Sequence, residues 1–297
     1  PAPPGSSHPS PPALLPLLAP LGTRRPRLLI ANTPQDPAGG VLTREDVEFI
    51  ARLAVERDLL VISDEIYSQI IYGDFEHVSL LAQPGMRERT VLLDGMSKAY
   101  AMCGWRLGYG VAPRELAAKM ETLMINSSSC AAAFTQMAAI EALSAPESDR
   151  AVKMMVGEFQ RRRDLMVDGL NRIPGFRCAR PEGAFYAFPN VEGTGMDEKV
   201  MADRLLTEAG VAVLPGTAFG DGGRGYIRLA YTQSDDNLRE ALRRVAQGGG
   251  RGGWLGGKGR AGGSDERKQG DQGTGDGELL CATSSGDRAQ AVSRNDG

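Results

Sequence analysis

Lys98 stands in the run Asp94-Gly95-Met96-Ser97-Lys98-Ala99, just after the apolar stretch Thr90 to Leu93, with Arg106 eight residues further on. A lysine amine is a nucleophile or a proton carrier once it is kept uncharged; a solvated one is neither. Ser97 offers a hydroxyl and Arg106 a planar guanidinium, two groups that can hold a phosphate, and Gly95 and Gly104 permit the tight turns that would gather them. Asp64 follows the apolar run Leu59 to Ile62, and Tyr67 lies three residues beyond it. Arg228 sits inside the apolar segment Tyr226 to Ala230, where a cation is costly unless it meets an anion.

The elements around these residues alternate in type. Leu28 to Ala31 reads as a strand, Arg44 to Arg57 as a helix capped by Thr43, and Leu59 to Ser63 as a second strand. Thr90 to Leu93 and Leu107 to Val111 continue as strands, followed by helices over Pro113 to Ile125 and Ala131 to Leu143. The expected fold class is α/β, a mostly parallel sheet with helices on both faces, plus a smaller α+β C-terminal domain. A charged helix, Asp149 to Arg172, would connect the two. Beyond Pro174-Gly175 come expected strands at Phe176 to Cys178, Ala184 to Phe188, Val211 to Leu214 and Tyr226 to Ala230, with helices at Lys199 to Ala209 and Asp235 to Gln247. The predicted boundaries are 1–27 for a disordered Pro-rich leader, 28–148 for the large domain, 149–172 for the connecting helix, 173–247 for the small domain and 248–297 for a disordered Gly-rich tail. Residues 1–27 hold nine of the 18 prolines and residues 248–297 hold sixteen of the 38 glycines, which sets the outer limits.

A net charge of −3 gives no basic stripe and so no support for a nucleic-acid or anionic-membrane partner. The apolar run Ala13 to Ala19 is broken by Pro16 and too short to span a bilayer. Cys103, Cys130, Cys178 and Cys281 lack zinc-type spacing and are too few to staple the chain, which fits a reducing, cytoplasmic setting; no metal is expected.

Four segments carry a resemblance: 32 to 40, Asn-Thr-Pro-Gln-Asp-Pro-Ala-Gly-Gly; 63 to 67, Ser-Asp-Glu-Ile-Tyr; 94 to 109, from Asp94 through Ser97-Lys98 and Gly104-Trp105-Arg106 to Tyr109; and 225 to 229, Gly-Tyr-Ile-Arg-Leu. In this order they resemble the class I/II aminotransferases, pyridoxal-phosphate (PLP) enzymes of fold type I. The resemblance implies a partial type I large domain in which Lys98 forms the Schiff base with PLP and then serves as the base, and Asp64 keeps the pyridine nitrogen protonated. Tyr67 and Asp36 would lie at the phenolic oxygen, Ser97 and Arg106 at the phosphate, and Arg228 at the carboxylate of an amino acid or 2-oxo acid substrate. It also implies a homodimer. Pro181 to Tyr186 looks like the entry to the small-domain sheet, with aromatics read as packing, and Asn126 to Cys130 with Gln136 like a segment near the dimer interface.

The family usually has asparagine where this chain has Asp36, and threonine where it has Ala38. An ionised aspartate only accepts hydrogen bonds, so Asp36 would be protonated, turned away, or opposite a protonated oxygen. The family's glycine-rich phosphate loop and ring-stacking aromatic precede the Asn32 segment; here a proline-rich leader does, which suggests a truncated fragment or an incorrect gene model. Elimination or other α-carbon chemistry on PLP, and an inactive fragment retaining the fold, are the alternatives. Gly95 to Ala99 also resembles a nucleophile elbow around Ser97, but His8 and His77 both precede it, whereas that fold places its base afterwards. Gly220 to Gly225 spells a dinucleotide fingerprint yet runs into a strand, and Gly252 to Gly259 nearly spells a P-loop without its hydroxyl residue.

Overall fold

The computed structural model describes residues 27–248. Apart from Arg27 and Gly248, the expected Pro-rich leader and Gly-rich tail lie outside the described residues, as does the P-loop-like stretch 252–259.

Four strands form the first sheet: β1 (Leu28–Asn32), β2 (Leu60–Asp64), β3 (Thr90–Gly95) and β4 (Gly108–Val111), in that order. β1 with β2 and β2 with β3 are parallel, and β3 with β4 is antiparallel, so the sheet is mixed but mostly parallel. The crossover from β1 to β2 is helix α1 (Arg44–Glu56), which starts where the sequence predicts it. The Thr43 hydroxyl accepts from the Asp46 amide and the Asp46 carboxylate accepts from the Thr43 amide, a reciprocal cap that satisfies two free amides. Val47, Ile50, Ala51 and Ala54 repeat at helical spacing and pack with Ala31, Leu59, Val61, Leu80 and Met86 into one core.

The register matters for the site. Asn32 pairs with Asp64, and Asp64 with Leu93, so the connections following β1, β2 and β3 leave the sheet at one edge. Gly95, at the end of β3, has room for nothing larger: a Cβ there would lie 2.9 Å from the Gly108 Cα and 3.0 Å from the Leu107 oxygen. Gly104, expected to serve the same purpose, faces open space.

Helices α2 (Arg114–Ser128), α3 (Ala133–Ser144) and α4 (Pro146–Leu170) follow. α4 begins three residues before the predicted Asp149 because proline, lacking an amide hydrogen, is well suited to the first helical turn. α2 buries none of its residues, and Leu123, Met124 and Ile125 on it, with Phe134, Met137 and Ile140 on α3, stay exposed. Among the described residues no helix is long and apolar enough to cross a membrane.

By their internal contacts the described residues divide into two units, 27–161 with Ala179–Tyr186, and Arg162–Cys178 with 187–248. The division falls inside α4 and assigns Ala179–Tyr186 to the first unit. The short strand β5 spans Tyr186–Ala187. The second unit holds α5 (Glu198–Ala209), β6 (Leu214–Pro215), β7 (Ile227–Ala230) and α6 (Asp235–Gln247), with β6 antiparallel to β7. Its core is built from Met166, Leu170, Met201, Leu205, Ile227 and Leu238.

Three expected strands are corrected, Val211 to Leu214 among them: only its last residue lies in β6 (Leu214–Pro215). Phe176 to Cys178 is reduced to a single bridge between Arg177 and Asn190. The Asn171 side chain takes both backbone groups of Cys178, donating to its oxygen at 3.0 Å and accepting from its amide at 2.8 Å, and so replaces the partner a strand would supply. Ala184 to Phe188 shortens to β5, since Ala184 has φ 58° and leaves the extended region. Gly220 to Gly225 forms a turn through a short 3-10 segment, Asp221–Gly223, before β7, as its sequence context requires.

Candidate active site

The three connections at the shared sheet edge carry most of the predicted residues. The loop after β1 is organised by Asn32, whose side chain donates to the Asp64 carbonyl at 3.1 Å and accepts from the Asp36 amide at 2.7 Å. Asp36 is half-buried, and one side chain thus ties it to the end of β2. Asp64 is half-buried too. Its Oδ1 accepts from the Ile66 amide at 3.2 Å, and Oδ2 has no hydrogen-bond partner among the described residues. A carboxylate with one oxygen turned to its own backbone and one left over is fixed in direction and available to a ligand.

Tyr67 is buried, and its hydroxyl lies 3.0 Å from that of Tyr186. Lys98 is half-buried beside it, with Nζ 5.7 Å from the Tyr67 ring centre and 5.6 Å from that of Phe185. Among the described residues this amine has no carboxylate partner and no hydrogen bond. Phe185 in turn meets Tyr67 edge-on, ring centres 5.2 Å apart. The aromatics of Pro181 to Tyr186, read from sequence as packing, therefore form the wall against which Lys98 stands. Sequence gave no signal for this, because eighty-seven positions separate Phe185 from Lys98.

Backbone stitching brings that wall into place. The Glu182 and Gly183 amides donate to the Gly39 carbonyl at 2.8 and 2.9 Å, the Val41 amide to the Glu182 carboxylate at 3.1 Å, and the Tyr72 hydroxyl to the Ala184 carbonyl. After β3, the Cys103 thiol meets the Ser97 carbonyl at 2.8 Å and Arg106 Nη1 donates to the Cys103 carbonyl at 2.9 Å, so Ser97 and Arg106 share one turn. Arg106 is exposed, with φ 53° in the left-handed region. That conformation is uncommon for a residue with a Cβ and clusters at ligand sites. Arg228 lies on β7 in the second unit, its guanidinium 4.7 Å from the Phe219 ring centre.

A polar cluster that the sequence reading missed lies behind the end of β2. Glu65 is buried; Oε1 accepts from the Ser63 and Ser79 hydroxyls, each at 2.8 Å, and Oε2 lies 2.6 Å from His77 Nε2. Burial alone would push this carboxyl up, but the hydrogen bonds of His77, Ser79 and Ser63 and the charge of His77 outweigh it and hold it below its ordinary value of 4.5. Asp94 goes the other way: burial, aided by the Glu65 charge, raises it despite hydrogen bonds from the Gly95 amide and the Tyr109 hydroxyl. Burial and the Asp94 carboxylate push the Tyr109 phenol up to about 12, so it remains a donor.

Because the folded value of Glu65 is depressed, its contribution to stability is present above pH 4.5 and is lost as pH falls through the folded value. Acid titration followed by circular dichroism is expected to show that loss, and Glu65→Gln is expected to flatten it.

A model for the family described as aminotransferase class I and II matches residues 5–245. The chain belongs to this family. It is 44% identical over 223 residues to an aspartate aminotransferase of Pyrococcus abyssi and 42% identical over 223 residues to aromatic-amino-acid aminotransferase 2 of Thermococcus litoralis, in each case covering 75% of this chain and 57% of the relative. The crystal structure of an aromatic aminotransferase from Pyrococcus horikoshii superposes with a TM-score of 0.72 at 43% identity, over 74% of this chain and 59% of that one. The chain thus spans a little over half the length of the relatives it matches. PLP is the family's cofactor, and the donor set in the first unit fits it: an unpaired lysine amine against aromatic rings, a carboxylate with a free oxygen at the next strand end, and a serine and an arginine in one turn.

Proposed function

We propose that this chain carries the cofactor-holding part of a PLP-dependent aminotransferase that moves an amino group between an amino acid and a 2-oxo acid. The observation that carries the reading is Lys98, half-buried against Tyr67 and Phe185 without an acid to neutralise it. An amine held against aromatic rings with no carboxylate to pair with it is placed to attack an aldehyde and to take a proton from a carbon beside it.

Bound here, PLP supplies an electron sink for a substrate α-carbon. Lys98 Nζ would take the proton from that carbon. The free Asp64 oxygen would hold the pyridine nitrogen, the Tyr67 hydroxyl the phenolic oxygen, and Ser97 with Arg106 the phosphate. Arg228 binds the substrate carboxylate with its planar fork and sets the direction of the Cα–H bond.

The test is a panel of amino acids given to the PLP-loaded chain with and without a 2-oxo acid acceptor. Amino-group transfer gives a new amino acid only when the acceptor is present. Pyruvate and ammonia from one substrate without an acceptor would replace this reading by elimination chemistry.

Asp36 makes a separate prediction. Asparagine can donate to a phenolic oxygen where an ionised aspartate only accepts, so Asp36→Asn is expected to tighten cofactor binding by about threefold to tenfold, the value of one added hydrogen bond. Equilibrium titration with PLP measures it.

A homodimer accords with the exposed apolar residues of α2 and α3, which a second copy would cover. A cytoplasmic location accords with the free thiols of Cys103 and Cys130. For the domain limits we take 28–148, 149–172 and 173–247 as the working division.

A further inference from the structure

Glu65 is an acidic residue beside the site whose side chain is buried, and the proposed chemistry gives it no part. Its position explains why it is there. Along β2 successive side chains alternate in direction, so Ser63 and Glu65 face away from Asp64 between them. The Glu65 amide continues the ladder to the Leu93 carbonyl at 2.9 Å, and its own carbonyl accepts from the Ser68 amide at 2.8 Å. Its carboxylate reaches Ser63 on the strand and both His77 and Ser79 on the segment leading to the next helical turn. The residue is thus held at backbone and side chain, and the turn Asp64 to Tyr67 leaves from it.

Burying a carboxylate is expensive, and three hydrogen bonds roughly balance that expense without a large surplus. Apolar residues would fill the space at lower risk. What the carboxylate adds is direction: it accepts from several donors at once and fixes the backbone between two ligand-facing residues. We propose that Glu65 is a positioning residue for the cofactor, its buried carboxylate, anchored by Ser63, His77 and Ser79, setting the turn so that Asp64 and Tyr67 point correctly before the cofactor arrives. This rests on the PLP reading above. It gives His77 a part as well, that of a donor to Oε2.

Glu65→Gln separates geometry from charge. The amide oxygen can still accept from Ser63 and Ser79, but its NH2 group then faces His77 Nε2. To accept, that nitrogen must give up its proton to Nδ1, which is buried without a partner. The variant therefore loosens the His77 side of the anchor while nearly preserving shape. Ser79→Ala removes one donor and is the milder companion should Glu65→Gln fold poorly.

Three measurements on the full chain decide the matter: the PLP dissociation constant, the visible spectrum of the bound cofactor, and amide hydrogen exchange without cofactor. Positioning predicts that Glu65→Gln weakens PLP binding by about tenfold or more, as losses in supporting shells do, with Ser79→Ala weaker in effect. It also predicts an altered visible band, and faster exchange at Ile66, whose amide donates to Asp64, with Val47 on α1 unchanged. A merely structural role predicts exchange raised throughout the core with binding unchanged in the folded fraction, and that result overturns the proposal. A parent chain that leaves PLP unbound overturns the functional reading instead, and the exchange at Ile66 still decides whether Glu65 holds the turn.

Discussion

Lys98→Ala is expected to abolish the visible absorbance that the parent chain acquires with PLP, and to lower the rate of amino-group transfer by on the order of a thousandfold, as loss of a positioned base does. The argument is local. Nζ stands over the Tyr67 and Phe185 rings without an ion pair, so its removal leaves no charge unbalanced. Stability should change little, because the side chain is half-buried and forms no hydrogen bond. Loss of the spectrum with an unchanged melting temperature marks a chemical role. An unchanged spectrum would mean that another lysine, or none, meets the cofactor. An added small amine that restores part of the transfer rate would identify the missing group as the proton carrier itself.

Gly39→Ala is expected to cost about 2 to 4 kcal/mol of stability. The backbone there has φ +72°, and a Cβ would lie 2.6 Å from Pro181 Cβ and 2.9 Å from the Gly183 carbonyl oxygen. Left-handed backbone costs a residue with a Cβ about 1–2 kcal/mol, and forcing atoms into a packed place adds a comparable amount. Gly73→Ala is the control. Its φ is +65° with nothing within 4 Å, so only the backbone cost applies and about 1–2 kcal/mol is expected. Urea unfolding of the two variants measures the difference. The Gly39 variant should also weaken PLP binding, since the Gly39 carbonyl receives the Glu182 and Gly183 amides that bring Phe185 and Tyr186 to Lys98. Equal destabilisation by the two substitutions would show that the segment 181–183 is not tightly docked.

Much of this protein is legible in its residues. The Thr43 cap, the helical repeat of Val47, Ile50 and Ala54, and the apolar runs of β1 to β3 follow from local rules, because capping, periodicity and strand preference act over a few residues. Ser97, Lys98 and Arg106 could be grouped for the same reason: they share one short turn. Asp64 and Lys98 could be related because both follow strands, and parallel strands leave a sheet at a common edge.

The rest required the tertiary structure. Glu65, His77 and Ser79 look like ordinary surface polar residues in sequence, and only folding buries Glu65, half-buries the other two and joins all three into one anchor. The strand expected at Phe176 to Cys178 was lost to the Asn171 side chain, a competitor that no local propensity describes. The aromatic wall around Lys98 depends on Glu182 and Gly183 pairing with Gly39, across more than a hundred and forty positions of chain. Local preference chose the elements and the reactive residues. Burial and long-range hydrogen bonding decided the surroundings of the lysine amine, and those surroundings separate a reactive lysine from a solvated one.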